Sequence, residues 1–345
     1  MQIRVKSPLG SILCSFTCST HILLSSLATE ITCVQQDENP SKTTLKSSKS
    51  IRSSRVSSRI AMSFLPNTRT VILTILALLA FAGNSLLARL ALKSTSIDPA
   101  SYTSIRLISG AIMLWLLTRV TRPGQMSGNW FSGFALFVYA AGFSFAYRNL
   151  SAGTGALLLF GAVQITMIGY GIWRGERLSQ QQVVGLVLAL AGLVGFMLPG
   201  LAAPPLLGST LMILAGVAWG AYSLRGKGSS DPILVTVGNF VRAVPLTIFL
   251  SLVFFSRANI DSRGIWYALA SGMLTSAIGY AIWYAALPSL PATTAATLQL
   301  SVPILAAFGG IVFLEEEITL RLVLAAIVIL GGIALVILER KQKIR

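Results

Sequence analysis

Residues 150–158 read Leu150-Ser-Ala-Gly-Thr-Gly-Ala-Leu-Leu158, and residues 290–298 read Leu290-Pro-Ala-Thr-Thr-Ala-Ala-Thr-Leu298. Leu, Ala, Thr, Ala and Leu recur at alternate positions under a single offset of 140 residues. The same offset pairs Ala146 with Ala286, Glu176 with Glu316, Leu190 with Leu330, Gly192 with Gly332 and Leu198 with Leu338. Leucine-rich segments align easily by accident, but a glutamate and a glycine that coincide at the same offset do not. Upstream the match is looser, through Gly83 with Gly220 and Asp98-Pro99 with Asp231-Pro232. The chain therefore reads as a duplicated unit.

Composition says what the unit is. Of 345 residues, 54% are hydrophobic and only 11% charged, far from the mixture of a soluble globular protein. From Val71 onward ten apolar stretches follow, near 71–92, 100–118, 130–148, 153–173, 181–199, 206–224, 233–255, 264–287, 292–314 and 320–338. Each is close to the roughly 20 residues that cross a bilayer as a helix. They are continuous rather than alternating, which favours helices over a barrel. The reading is an all-α integral membrane protein of ten transmembrane helices arranged as a 5+5 repeat. An odd number of spans per copy forces the second copy upside down, and such an inverted repeat is the physical basis of alternating access around a midplane site. The expected boundaries are 1–61 for an N-terminal extension, 62–200 and 201–340 for the two five-helix repeats, and 341–345 for a basic tail.

Residues 1–61 are rich in Ser and Thr with interspersed Lys and Arg and no apolar periodicity, so disorder is expected there. Two readings stand: an organelle transit peptide, or an extension ahead of a natural start at Met62. Glu30, Asp37 and Glu38 weigh against the transit peptide. The net charge of +16 does not imply nucleic acid, because the nineteen basic side chains after residue 61 sit mostly singly or in pairs between apolar stretches, with no stripe on one face. Counted by side, with Arg55 and Arg59 included and the intramembrane Arg106 and Arg242 left out, thirteen Lys/Arg fall with the N-terminus and at most six on the other face. Both termini are therefore expected to be cytoplasmic in a plasma (inner) membrane, or on the equivalent side of a plastid or other organelle envelope.

Cys14, Cys18, Cys33 and the single histidine, His21, all precede the first span. That removes thiol nucleophiles, His-based acid/base chemistry and Cys/His metal sites from the membrane body, and neither an enzyme nor a cofactor or metal is expected. Intramembrane ionisable groups are functional candidates because each is costly unless paired or hydrated. Two qualify, Arg106 with Tyr102, Ser109 and Gly110 on its face, and Arg242 with Gly238, Asn239 and Pro245. The plainer alternative for either is an arginine that braces a helix end. All eight acids after residue 61 lie at or beyond helix ends, so a pump for lipophilic cations, which needs a buried carboxylate, fits poorly. Pro303 leaves the Gln299 carbonyl without its helical donor. Asn84, Gln164, Asn239, Gln299 and Tyr284 complete the expected solute contacts, with Glu176, Glu316 and Pro303 as gating or coupling candidates. Ser179 with Gln182 reads as a capping box, and Thr319 as a cap of the last helix.

The segments Leu79-Ala-Phe-Ala-Gly-Asn-Ser-Leu-Leu-Ala-Arg89 and Ile97-Asp-Pro-Ala-Ser-Tyr-Thr-Ser-Ile-Arg106, with Gly175-Glu-Arg-Leu-Ser179, Gly185, Gly192, Pro303, Leu314-Glu-Glu316 and Gly331-Gly332, resemble the drug/metabolite transporter superfamily in its ten-helix EamA-like branch. One departure is Val163-Gln164, where many relatives carry a proline matching Pro303; the fourth span is expected to be straighter than the ninth. The resemblance implies a secondary transporter (permease) for a small metabolite such as an amino acid, working by efflux. The alternatives are an organelle-envelope exchanger for sugar phosphates or nucleotide sugars, and a membrane receptor or sensor without net transport. Expected partners are the lipid bilayer and a solute that is anionic, zwitterionic or neutral rather than cationic. Homodimer formation is left open.

Overall fold

The computed structural model describes residues 68–121, 124–175, 177–200, 203–226, 231–290 and 292–342. The N-terminal extension and Glu176 lie outside them. In chain order the helices are α1 (Thr68–Ser94), α2 (Pro99–Thr121), α3 (Trp130–Tyr147), α4 (Ala152–Trp173), α5 (Gln180–Met197), α6 (Leu206–Gly226), α7 (Pro232–Val253), α8 (Ser262–Ser289), α9 (Ala292–Gln299), α10 (Ser301–Leu314) and α11 (Leu320–Gln342). Among the described residues nine helices are long and apolar enough to cross a membrane; α10 is shorter and shares the tenth position with α9. The protein is an all-helical multi-pass membrane protein.

The outward faces are as apolar as the interior. Ile72, Ile75 and Leu79 project from α1, and Phe249, Leu252 and Val253 from α7, all exposed. In a bilayer such faces meet lipid, so helix association rests on close packing and small residues rather than on hydrophobic collapse. Between α5 and α11 this goes to the limit. A Cβ added to Gly185 or to Gly332 would stand 2.5 Å from the other glycine's carbonyl oxygen, so the two backbones touch.

Helix starts follow from local chemistry. Asp98 accepts from the amides of Ala100 and Ser101 at 2.9 and 3.0 Å. Asp231 does the same for Ile233 and Leu234 at 3.0 and 3.2 Å. In both cases proline follows at the first helical position, where its missing N–H is harmless. The paired Asp-Pro signals therefore begin α2 and α7, the second helix of each copy. The Ser179–Gln182 box closes in both directions at the head of α5, and Thr319 caps α11.

The span expected at 292–314 is broken. Pro303 has no N–H for the Gln299 carbonyl, and the helix stops at Gln299 and restarts at Ser301. Ser301 Oγ donates to the Leu298 carbonyl at 2.7 Å, occupying one of the acceptors near the break. Its counterpart α4, with Val163 at the corresponding position, runs unbroken for 22 residues. A second irregularity was not foreseen: within α8, Ser271–Ile278 winds as a π-helix.

Candidate functional site

A cavity of about 440 Å³ lies between the two halves. Asn84 and Ser85 of α1, Tyr139 and Phe143 of α3, Gln164 and Met167 of α4, and Trp219 of α6 line it, with Thr275, Tyr280, Trp283 and Tyr284 of α8 and Gln299 of α9. Its wall extends to Gly226, Pro232 and Leu290, which stand at the ends of α6, α7 and α8. Of the residues expected at the solute, Asn84, Gln164, Gln299 and Tyr284 meet there. The α9–α10 break leaves Gln299 on the wall, and Pro303 is buried one turn further on.

The polar floor of the cavity is a connected network. Asn84 Oδ1 accepts from Ser271 Oγ at 2.8 Å and Thr275 Oγ1 at 3.2 Å, while Asn84 Nδ2 donates to Tyr139 Oη at 3.3 Å. Arg106 Nη2 donates to the same Tyr139 Oη at 3.1 Å, and Arg106 Nε to Ser276 Oγ at 3.3 Å. The π turn is what gathers these hydroxyls. In an α-helix residues i and i+4 share a face, but the wider i+5 winding brings Ser271, Thr275 and Ser276 all toward α1 and α2. The close approach of α8 to α2 depends on Gly272, where a Cβ would collide with Ser109 Oγ and the Arg106 carbonyl.

Arg106 itself is only 1% exposed and does not line the cavity. Its guanidinium carbon lies 4.7 Å from the Phe143 ring centre and 5.3 Å from that of Tyr139, so two rings of the wall cover a buried cation. Desolvated cation–π contacts contribute about 2 kcal/mol or more, which offsets part of the burial.

Arg242 and Asn239, expected at the solute, stand elsewhere. Arg242 Nη1 donates to the Gly238 carbonyl at 2.8 Å and the Ser127 carbonyl at 3.2 Å. Asn239 Oδ1 accepts from the Asn129 amide at 3.1 Å. Both hold the segment leading into α3, and neither lines the cavity. α7 is turned so that this edge meets the loop rather than the interior. Arg242 thus hydrogen-bonds to backbone carbonyls beside the loop, while Arg106 lies against the cavity wall.

At the other end of the helices Glu316 meets Arg89. Arg89 Nε lies 2.8 Å from Glu316 Oε1, with both side chains largely buried. Arg89 Nη1 also donates to the carbonyls of Tyr147 and Arg148 at 3.0 and 3.1 Å, and Glu316 Oε2 accepts from the Ala152 amide at 2.8 Å. One ion pair therefore ties the end of α1, the α3–α4 turn and the α10–α11 turn. Glu315 beside it adopts φ 53°, the left-handed conformation that ends α10.

Sequence reasoning passed over Tyr139, Trp219, Ser271, Thr275 and Ser276, and did not pair Arg89. A signal for Tyr139 exists: Tyr139, Phe143 and Tyr147 repeat at i+4 and form one aromatic stripe, with ring centres 5.5 and 4.6 Å apart. The serines read as ordinary small residues because the π turn that aligns them has no sequence signature we can name.

Duplicated membrane helices around a cavity between the two halves define a transporter-like architecture, and similarity to known proteins agrees. The chain belongs to the EamA-like transporter family, whose model matches residues 68–198 and again 206–338. An uncharacterized protein of Pseudomonas aeruginosa is 53% identical over 278 residues, 80% of this chain and 97% of that one. The threonine/homoserine exporter RhtA of Salmonella typhimurium is 31% identical over 159 residues, 43% of this chain and 52% of the exporter. A solved crystal structure, 17% identical, superposes with a TM-score of 0.57 over 81% of this chain and 98% of its own, a likeness of fold alone.

Proposed function

We propose that this permease exports a small amino-acid-like metabolite by alternating access. The observation that carries the reading is the asymmetry of the two ends: a cavity whose wall reaches the ends of α6, α7 and α8, and an ion pair across three elements at the opposite end. With the Lys/Arg-rich side cytoplasmic, this is an inward-facing state with its outer gate closed by Arg89 and Glu316. A volume of about 440 Å³ suits a small metabolite. The similarity to a threonine/homoserine exporter favours efflux and an amino acid. Both Asn84 and Gln164 offer amide groups to such a solute, and Tyr280, Trp283 and Tyr284 offer aromatic faces. Among the described residues of the cavity wall there is no Lys or Arg, so the sugar-phosphate exchanger lacks the clamp it needs.

Cells loaded with threonine or homoserine and expressing residues 62–345 are expected to release the amino acid faster than cells with an empty vector, measured as medium and cytosolic pools over time. Equal release for every amino acid tested overturns the reading. In the same assay Arg242→Ala is expected to leave solute selectivity unchanged while lowering stability by about 1–3 kcal/mol, since it removes the partner of two backbone carbonyls. Equilibrium unfolding in detergent checks the second half; altered selectivity at matched expression contradicts the first.

A further inference from the structure

Among the described residues Arg106 is the only buried arginine, and its hydrogen-bond partners, Tyr139 and Ser276, are neutral. Its Nη1 is buried without a hydrogen-bond partner. A cation kept out of water in this way is costly, and hydroxyls with ring faces compensate it only in part. No carboxylate among the described residues is hydrogen-bonded to this guanidinium.

The route to one runs through Tyr139. Its hydroxyl accepts from Arg106 Nη2 and from Asn84 Nδ2, which occupies the oxygen as an acceptor and leaves its own O–H to donate. The guanidinium polarises that O–H, as charge-assisted bonds do. Tyr139 and Tyr280 both line the cavity and their hydroxyls are hydrogen-bonded to each other, so a solute would take the Tyr139 proton in place of Tyr280. Asn84, held by Ser271 and Thr275, lines the same floor.

We infer that this floor is a carboxylate site: the solute's carboxylate accepts from Tyr139 Oη–H beside Asn84, and Arg106 behind the ring supplies the countercharge without touching the solute. The inference rests on the cavity being the solute site and adds which group of the solute is recognised there and by which residues. Arg106 is a positioning and electrostatic residue, and Tyr139 is the direct contact. A charge that stays covered and acts through a neutral phenol binds a carboxylate while avoiding the tight ion pair that would hinder release.

The test is a titration of the purified full chain in detergent, read by tryptophan fluorescence, because Trp219 packs 4.7 Å from the Tyr139 ring and Trp283 also lines the cavity. The probes are two acid/amide pairs, L-threonine with L-threoninamide and L-lactate with L-lactamide. The acid is expected to bind roughly tenfold or more tightly than its amide in at least one pair, the scale of one hydrogen bond to a charged group. Arg106→Gln and Tyr139→Phe are expected to bring that ratio close to one, and Arg106→Lys to keep the preference. Tyr139→Phe retains the ring packing and carries the test if Arg106→Gln fails to fold. Equal binding of acid and amide in both pairs, absence of binding by all four probes, or a preference that survives Tyr139→Phe overturns the inference. Efflux from proteoliposomes separates the two readings. Acid preference without solute movement sinks the permease and leaves the site; movement of acid and amide alike leaves the permease and sinks the site.

Discussion

Glu316→Ala is expected to remove most transport and to destabilise the purified protein by about 3–5 kcal/mol, the range for leaving one partner of a buried ion pair alone. The substitution strands the Arg89 guanidinium, whose side chain is only 11% exposed, and also takes away the acceptor of the Ala152 amide at the first turn of α4. Both losses fall at the end of the molecule opposite the cavity mouth, so the closure proposed there as an outer gate is expected to loosen. Arg89→Ala alone is expected to behave similarly. The double substitution removes both charges, and its loss should be smaller than the sum of the two. A double-mutant cycle on unfolding free energy measures this; additive losses contradict a coupled pair. Glu316→Gln keeps an oxygen for the Ala152 amide and removes only the charge. If this carboxylate carries proton coupling, the Gln variant transports without dependence on an imposed pH gradient, whereas unchanged pH dependence excludes that role.

Gly272→Ala is expected to weaken both the fold and the site. A Cβ there meets Ser109 Oγ and the Arg106 carbonyl at less than contact distance, and a backbone oxygen has no rotamer by which to move aside. Alanine gains about 1 kcal/mol of helix propensity over glycine, but overpacking against backbone costs about 1–3 kcal/mol, so the net effect is destabilising. The relief available is to push the π segment away from α2. That lengthens the contacts of Ser271 and Thr275 with Asn84 and of Ser276 with Arg106. Solute affinity should therefore fall together with the unfolding midpoint. Gly272→Leu, with a branched side chain at the same contact, is expected to yield no folded protein. Full affinity and stability in the alanine variant contradict the account.

The same two sites mark what was legible in the sequence. Asn84, Gln164, Gln299 and Tyr284 were readable as cavity residues because a polar group in an apolar span has few places to go except inward. The α9–α10 break was readable from Pro303, since a missing N–H acts within one turn. The sequence favours Arg242 over Arg106 as a solute contact, because Arg106 lies nearer a helix end. Each is a lone arginine in a span with small and polar neighbours on its face, and only the rotation of α2 and α7 about their axes turns one toward the cavity wall and the other toward a loop. Glu316 was readable as a residue at a helix end, but its partner lies 227 positions away.

The spans, the duplication and the Asp-Pro helix starts were thus determined by the sequence alone, because transfer into lipid, capping and proline sterics act over a few residues and require no partner. Helix rotation, the π turn, the Tyr139 hinge of the polar network and the Arg89–Glu316 pair were decided only by tertiary structure. In a body whose helices are apolar on every side, the inward face is set by packing of small residues against other helices, and that information lies between segments rather than within any one of them.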